Sequence, residues 1–176
     1  MDAPSPFRRQ LLDSIPRLRR YARTLVFDHA AADDLTQTAL ERALAHWHQF
    51  DQRRSLLAWL LSIAHNAHLD GRRRDVRLTV TDPDELKSRQ EQDGDDAGPD
   101  PALRLDLLRA LARLPVEQRE ALVLVCLEEF SYAEAAEVMQ IPIGTVMSRV
   151  SRARASLRRL LEGGACPSGP ALRRVI

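Results

Sequence analysis

The stretch from Phe130 to Arg154, Phe-Ser-Tyr-Ala-Glu-Ala-Ala-Glu-Val-Met-Gln-Ile-Pro-Ile-Gly-Thr-Val-Met-Ser-Arg-Val-Ser-Arg-Ala-Arg, constrains this 176-residue chain more than any other. It predicts a helix, a tight turn and a second, basic helix. Ser131 followed by Glu134 is a capping box: the hydroxyl accepts from first-turn amides and the carboxylate reaches back to the cap amide. The helix so opened turns Ala135, Ala136 and Met139 inward. Gln140-Ile141-Pro142 interrupts it, because proline has no amide to continue the ladder. Pro142 then suits the first turn of the next helix.

Along that next helix Val146, Val150, Leu157 and Leu161 recur at helical spacing as a burial stripe. Thr145, Ser148, Arg149 and Arg152 fall at i, i+3, i+4 and i+7 on a different face. A guanidinium bonds two base-edge acceptors at once, and short hydroxyls let the backbone come close, as major-groove reading requires. A solvated arginine face on an ordinary amphipathic helix fits the same residues. The capped helix and tight turn ahead of it favour a helix-turn-helix.

The formal charge of +1 conceals a segregation. Residues 143–161 hold Arg149, Arg152, Arg154, Arg158 and Arg159 and no carboxylate, whereas residues 75–101 are strongly acidic. That pattern suggests a polyanion-binding face and an acidic segment able to shield it. Leucine and alanine dominate the apolar residues and aromatics make up only 5%, a mix that favours helices over sheets. The expected fold class is all-α, as two small helical modules. Cys126 and Cys166 form neither a disulfide framework nor a metal spacing, which fits a reducing cytoplasm. No signal region opens the chain and no apolar run is long enough to cross a bilayer, so a soluble protein is expected.

Residues 7–27 predict a helix broken or restarted at Pro16, with Leu11, Leu12, Ile15, Leu18, Ala22, Leu25 and Val26 on its apolar side. The arginines at 17, 19, 20 and 23 read as a solvated face. Residues 31–50 predict a second helix with carboxylates in its first turn, where they complement the helix dipole. Its stripe is Leu35, Ala39, Ala43 and Trp47, widened by Leu40 and Leu44; Asp34, Gln37, Thr38, Glu41 and Arg42 are left polar. Residues 55–72 predict a third, with Leu56, Leu60, Ile63, Ala64 and Ala67 in the core. Trp59, Asn66 and the run Arg72-Arg73-Arg74 share that segment, and an aromatic ring beside an amide and basic residues can stack on and read an unpaired base. Trp59 as plain core is equally consistent. His65 and His68, like His46 and His48, lack a third ligand nearby and read as surface histidines rather than a metal site.

Residues 75–101 carry too little apolar content to order themselves and are expected to be a linker, able to span roughly 90 Å when stretched. The flanking modules, residues 1–74 and 102–162, could then sit far apart. Helices over 102–114 and 116–129, separated at Pro115, complete a four-helix second module. Residues 163–176 are expected to be a disordered tail.

Both modules resemble one family. Ala-Asp-Asp-Leu-Thr-Gln-Thr-Ala-Leu-Glu-Arg-Ala-Leu (32–44) and Leu-Ala-Trp-Leu-Leu-Ser-Ile-Ala-His-Asn (57–66) are similar to region 2 of extracytoplasmic-function (ECF) sigma factors. Leu-Ala-Arg-Leu-Pro-Val-Glu-Gln-Arg-Glu-Ala-Leu (111–122), with the helix-turn-helix, is similar to their region 4. Two motif sets in the family's order, over residues 10–74 and 102–161, are more specific than a lone helix-turn-helix. The resemblance implies a promoter-specificity subunit of bacterial RNA polymerase, without catalysis or cofactor of its own. It implies that Asp33, Asp34, Gln37 and Glu41 dock on the β′ clamp helices. Trp59, Asn66, Arg72, Arg73 and Arg74 would lie at the −10 element. Thr145, Ser148, Arg149, Arg152 and Arg154 would serve the −35 element, on a module that also holds the β flap. A dedicated anti-sigma factor is implied as a further partner.

Met147 and Ser151 depart from the basic and bulkier residues common in the family, so no −35 sequence carries over; Thr38 replaces a commonly acidic residue. The run Glu-Gln-Arg-Glu-Ala-Leu-Val-Leu-Val (117–125) and the short N-terminus are similar to the general-stress subgroup. Two rival readings use the same residues: an autonomous helix-turn-helix regulator, and a sigma-like module that sequesters an anti-sigma factor.

Overall fold

The computed structural model describes residues 3–78 and 101–162, with the side chains of 74–78 and 101–105 outside the description. Most of the expected linker and the expected tail, residues 79–100 and 163–176, likewise lie outside it. The chain is all-α, with no strand among the described residues. Its helices are α1 (Ser5–Val26), α2 (His29–Ala45), α3 (Leu56–Leu78), α4 (Pro101–Ala112), α5 (Val116–Cys126), α6 (Tyr132–Met139) and α7 (Ile143–Glu162).

Helix α1 buries Phe7, Leu11, Leu18, Tyr21, Ala22 and Leu25 along one side, each large apolar side chain contributing about 1.5–3 kcal/mol. The expected break at Pro16 does not occur. Pro16 is exposed, as is Leu12 at 64%. The carbonyl that proline leaves without a donor, four residues back at Leu12, therefore faces water, which satisfies it. Leu12 is accordingly not on the apolar side. The arginine face is only partly solvated: Arg17 and Arg20, about half exposed, both reach Glu128, far along the chain.

Asp28 opens α2 by accepting from the amide of Ala31 at 2.8 Å, a cap worth about 1 kcal/mol. The helix buries Leu35, Ala39 and Ala43 and stops at Ala45, short of Phe50. Trp47 lies instead in a 3-10 turn, Trp47–Gln49. Helix α3 buries Leu56, Leu60, Ala64 and Ala67 as expected, together with Leu57, Leu61 and His65. It overruns its expected end near Arg72 and continues to Leu78. No proline stands in the way before Pro83, so the boundary placed at residue 74 falls inside a helix.

In the second half, Ser131 and Glu134 form the capping box: Ser131 Oγ accepts from the Glu134 amide at 3.2 Å and Glu134 Oε2 accepts from the Ser131 amide at 2.9 Å. Gln140 ends α6 in the left-handed region at φ 53°. Pro142 stands just before α7, its carbonyl accepting from Thr145 and Val146. Val146, Val150 and Ala153 are buried, with Leu157 and Leu161 only half-buried at the helix's outer end. Phe27 and Glu129 also adopt positive φ at helix ends, each non-glycine residue there costing about 1–2 kcal/mol.

Helices α1–α3 pack together, as do α4–α7, and the two modules meet where α1 packs on α5 and α3 on α6. Buried residues from both halves belong to one hydrophobic cluster. The modules are thus closed on each other rather than far apart, since the reach of a linker bounds separation without requiring it.

Candidate nucleic-acid interface

Helix α7 turns one side of its first three turns outward. Met147 (46% exposed), Ser151 and Arg152 are exposed, with Thr145 and Ser148 half-exposed beside them. Ser148 Oγ donates to the Thr145 carbonyl at 2.9 Å, which holds the hydroxyl against the helix. Arg149 is half-buried, and its charge reaches Glu117 at the start of α5. At about 100° per residue, Arg154 stands roughly 160° around the helix from Arg152. It lies 3.3 Å from the Cys126 sulfur, which raises the affinity of its guanidinium for its proton. The structure therefore groups Thr145, Ser148 and Arg152 and sets Arg154 apart. Arg154 instead borders a shallow groove of about 310 Å³ with Tyr132, Met147, Ser151 and Arg158. Met147 and Ser151, noted in the sequence only as departures from the family pattern, are exposed on the Arg154 side of the helix.

On α3, Trp59, Asn66 and Arg73 follow at seven-residue steps, so they share one face spaced about 10 Å apart. Trp59 and Asn66 are half-buried and Arg73 is exposed. The Trp59 ring packs on Phe50 and Phe7, centroids 5.3 and 6.3 Å away, so it belongs to an aromatic cluster while keeping part of its surface open. Phe7, Trp47 and Phe50 also line a cleft of about 710 Å³ edged by Gln10, Asp13 and Arg54. Sequence reading missed this cleft, because its walls come from the start of α1 and from the loop between α2 and α3. Arg72 turns towards the second module and donates to Glu117 at 3.3 Å. The side chain of Arg74 lies outside the described residues.

On α2, Asp33, Asp34, Gln37 and Glu41 are all exposed. Asp33 pairs with Arg19 of α1 at 2.9 Å, and Gln37 donates to Glu41 one turn on at 2.9 Å. Asp34, Gln37 and Glu41 share one face by their spacing. The result is an acidic, hydrogen-bonding strip on the outside of the first module.

His65 is buried, contrary to expectation: its Nδ1 lies 2.6 Å from Glu120 Oε1. The same oxygen accepts from the Tyr21 hydroxyl. Burial, then the charge of Glu120, pushes the Tyr21 phenol well above its ordinary value, while burial lowers half-buried His68. Among the described residues no group of three or more His, Cys, Asp or Glu could hold a metal ion, and no helix is long and apolar enough to cross a membrane.

Two family models match the chain: the sigma2 domain of PhyR over residues 11–65, and sigma-70 region 4 over residues 104–157. The chain is 31% identical over 141 residues to the ECF RNA polymerase sigma factor SigW of Bacillus subtilis, covering 74% of this chain and 75% of that protein. Among solved structures it resembles the sigma factor RpoE of Bartonella quintana, crystallised with the anti-sigma factor NepR. That match has a TM-score of 0.79 at 35% identity, over 90% of this chain and 98% of the other. Similarity to the ECF sigma factor EcfG of Rhodopseudomonas palustris is 38% identity over 173 residues, 97% of this chain and 93% of that protein. With both modules present, in order and nearly end to end, the chain belongs to the ECF RNA polymerase sigma factors.

Proposed function

We propose that the chain is the promoter-selecting subunit of a bacterial RNA polymerase, binding core enzyme through α2 and promoter DNA through α3 and α7. The carrying observation is a capped helix-turn-helix with Ser148 and Arg152 outward, in one chain with an α3 face bearing Trp59, Asn66 and Arg73. Thr145, Ser148 and Arg152 meet the −35 element in the major groove, with Arg149 beside them. Arg154, set apart from that face, contacts phosphate or a partner rather than base edges. The cleft beside Trp59 lodges a base of the −10 element as the strands part. Extruding a base costs a few kcal/mol, and stacking on aromatic rings returns about 1–3 kcal/mol. Arg72, Arg73 and Arg74 hold the backbone there. The strip Asp33, Asp34, Gln37 and Glu41 grips the β′ clamp helices, and the second module grips the β flap. The protein makes and breaks no covalent bond.

The likeness to a sigma factor crystallised with an anti-sigma factor supports a dedicated anti-sigma partner here, and the resemblance to EcfG supports the general-stress subgroup. The site of action is the cytoplasm, at the nucleoid when polymerase-bound. Run-off transcription with purified core polymerase on a genomic fragment library tests the reading. New start sites, absent with core alone, are expected. No new start site in any fragment overturns it. Gel shifts without polymerase separate the autonomous-regulator reading, which requires tight specific binding by the free chain.

A further inference from the structure

The cleft between the start of α1 and the loop joining α2 to α3 divides its walls by chemistry. Phe7, Trp47 and Phe50 give it aromatic surface. The Phe7 and Phe50 rings are 5.9 Å apart and inclined at 53°, and Trp47 and Phe50 are half-buried, so ring surface is left on which a planar ligand can stack. The volume of about 710 Å³ suits a ligand of nucleotide size. The polar wall comes from α1, where Phe7, Gln10 and Ser14 follow at i, i+3 and i+7 with Asp13 beside them. The Ser14 hydroxyl donates to the Gln10 carbonyl at 2.8 Å, so its proton is used within the helix. Arg54, which also lines the cleft, is held by Glu137 at 2.8 Å. Asp13 differs from both. It is exposed, it is the one carboxylate lining the cleft, and it takes no hydrogen bond or ion pair from another side chain among the described residues.

An ionised carboxylate only accepts hydrogen bonds, and its charge repels phosphate. The cleft therefore favours a base edge over the backbone, and among base edges the one richest in donors. An unstacked guanine carries N1–H and the N2 amino group side by side. That pair meets two carboxylate oxygens with two parallel bonds, as a guanidinium does. Adenine and cytosine each set their amino group next to a bare ring nitrogen, whose lone pair would face the second oxygen. Thymine has a single N–H between two carbonyls. Guanine also presents O6 beside N1, and that acceptor needs a donor. The carboxamide of Gln10, one turn before Asp13 on the same wall, supplies it.

We propose that Asp13 and Gln10 make this cleft a guanine reader, which selects guanine at one position of the non-template −10 strand while Trp47 and Phe50 stack on the extruded ring. This rests on the reading that the cleft lodges a −10 base, and it names the base and the residues that choose it. The selection works by exclusion as well as attraction. Any other base leaves an oxygen of Asp13 unpaired, or opposed by a lone pair, just as the aromatic walls shut out water. Polar groups left unpaired in a filled site are what make discrimination large. A two-bond contact to a base edge gives a preference of about tenfold or more.

The test uses holoenzyme reconstituted from core polymerase and the full chain, bound to forked fragments of a promoter recovered by run-off transcription. Their −10 non-template strand is unpaired, so the cost of melting drops out of every comparison. Each −10 position carries guanine, inosine, adenine, cytosine or thymine in turn. Wild type should prefer guanine at one position by about tenfold. It should bind several-fold more weakly with inosine there, which lacks only the N2 amino group. Asp13→Asn presents one donor and one acceptor in place of two acceptors. It should erase the difference between guanine and inosine and favour adenine or cytosine relative to guanine, at that position alone. Asp106→Asn, the same charge change on α4, should keep the wild-type profile. A flat wild-type profile, a preference for another base, or a guanine preference that survives Asp13→Asn overturns the reader and leaves the sigma function standing. Equal weakening of Asp13→Asn on all five bases also overturns it, since Asp13 would then support the fold or the docking rather than the choice. Absence of new start sites with wild-type holoenzyme overturns the function, and the reader with it.

Discussion

Arg119→Ala is predicted to destabilise the first module from within the second. The guanidinium supplies donors to the carbonyls of Thr24 and Leu25 in the last turn of α1, where helix carbonyls have no partner of their own. It also lies 4.3 Å from the centroid of the Phe27 ring, just past that helix end. Its Nη1 donates to the carbonyls of Leu114 and Leu111 at 3.2 and 3.5 Å, inside its own module. Burial pulls its pKa down to about 10, which records the desolvation cost of closing over a cation. It is nevertheless charged at neutral pH. Hydrogen bonds to a charged group are worth about 1.5–3 kcal/mol each, and the two α1 carbonyls regain some water if the modules part. The ring contact adds about 0.5–2 kcal/mol. Relief of desolvation offsets part of the sum, leaving a net loss of about 3 kcal/mol.

The chain offers a clean reporter, because both tryptophans, Trp47 and Trp59, lie in the first module. Urea unfolding followed by tryptophan fluorescence therefore reads α1–α3 while the mutation sits in α5. At an m-value of about 2 kcal/mol/M, a loss of about 3 kcal/mol moves the midpoint down by about 1.5 M. Arg119→Met, which keeps the stem but not the donors, should recover less than half of that shift. A midpoint moved by less than about 0.5 M in the alanine variant would refute the reasoning, since α1 would then be capped well enough without a residue from the other module.

Arg152→Ala should weaken −35-dependent promoter binding by holoenzyme by about 1–3 kcal/mol and relax preference at one position; unchanged affinity and preference across a promoter-mutant panel removes it from the reading face. Asp34→Arg should abolish co-purification with core polymerase at unchanged helical content, and normal recovery with core defeats the α2 docking assignment. Tyr21 has a folded pKa raised above its unfolded value, so its contribution to stability is complete below pH about 10 and is lost as pH rises beyond that. Wild type should lose stability steeply in that range and Tyr21→Phe should not; equal slopes in alkaline denaturation show that the phenol is not held as described.

The fold was legible wherever one local cause decides the outcome. The capping box at Ser131 and Glu134 and the core stripe at Leu56, Leu60, Ala64 and Ala67 needed only spacing and short-range hydrogen bonding, and both are present. Pro16 was misread because the cost of an interior proline depends on whether the stranded carbonyl meets water or protein, and burial at Leu12 is set by the whole bundle. Leu12 faces water, so the helix continues. At the surfaces, Asp34, Gln37 and Arg152 stand exposed as their residue types suggest, whereas Arg72 is drawn towards Glu117. No spacing rule connects those two, since they come from different helices.

The same limit explains the deepest misreading, that of the contact between modules. Arg17, Arg20, His65, Arg119, Glu120 and Glu128 all belong to types that are ordinarily exposed, and each looks like solvated surface when its own helix is read alone. His65, Arg119, Glu120 and Glu128 are buried because each finds its opposite across the closure: the half-exposed guanidiniums of Arg17 and Arg20 for Glu128, a phenol and an imidazole for Glu120, helix-end carbonyls for Arg119. An apolar face would have announced the contact in the hydrophobic pattern of α5, at the cost of making closure hard to reverse. The buried polar residues conceal it, because their types carry no signal in the hydrophobic pattern, although apolar side chains of both halves share one cluster with them.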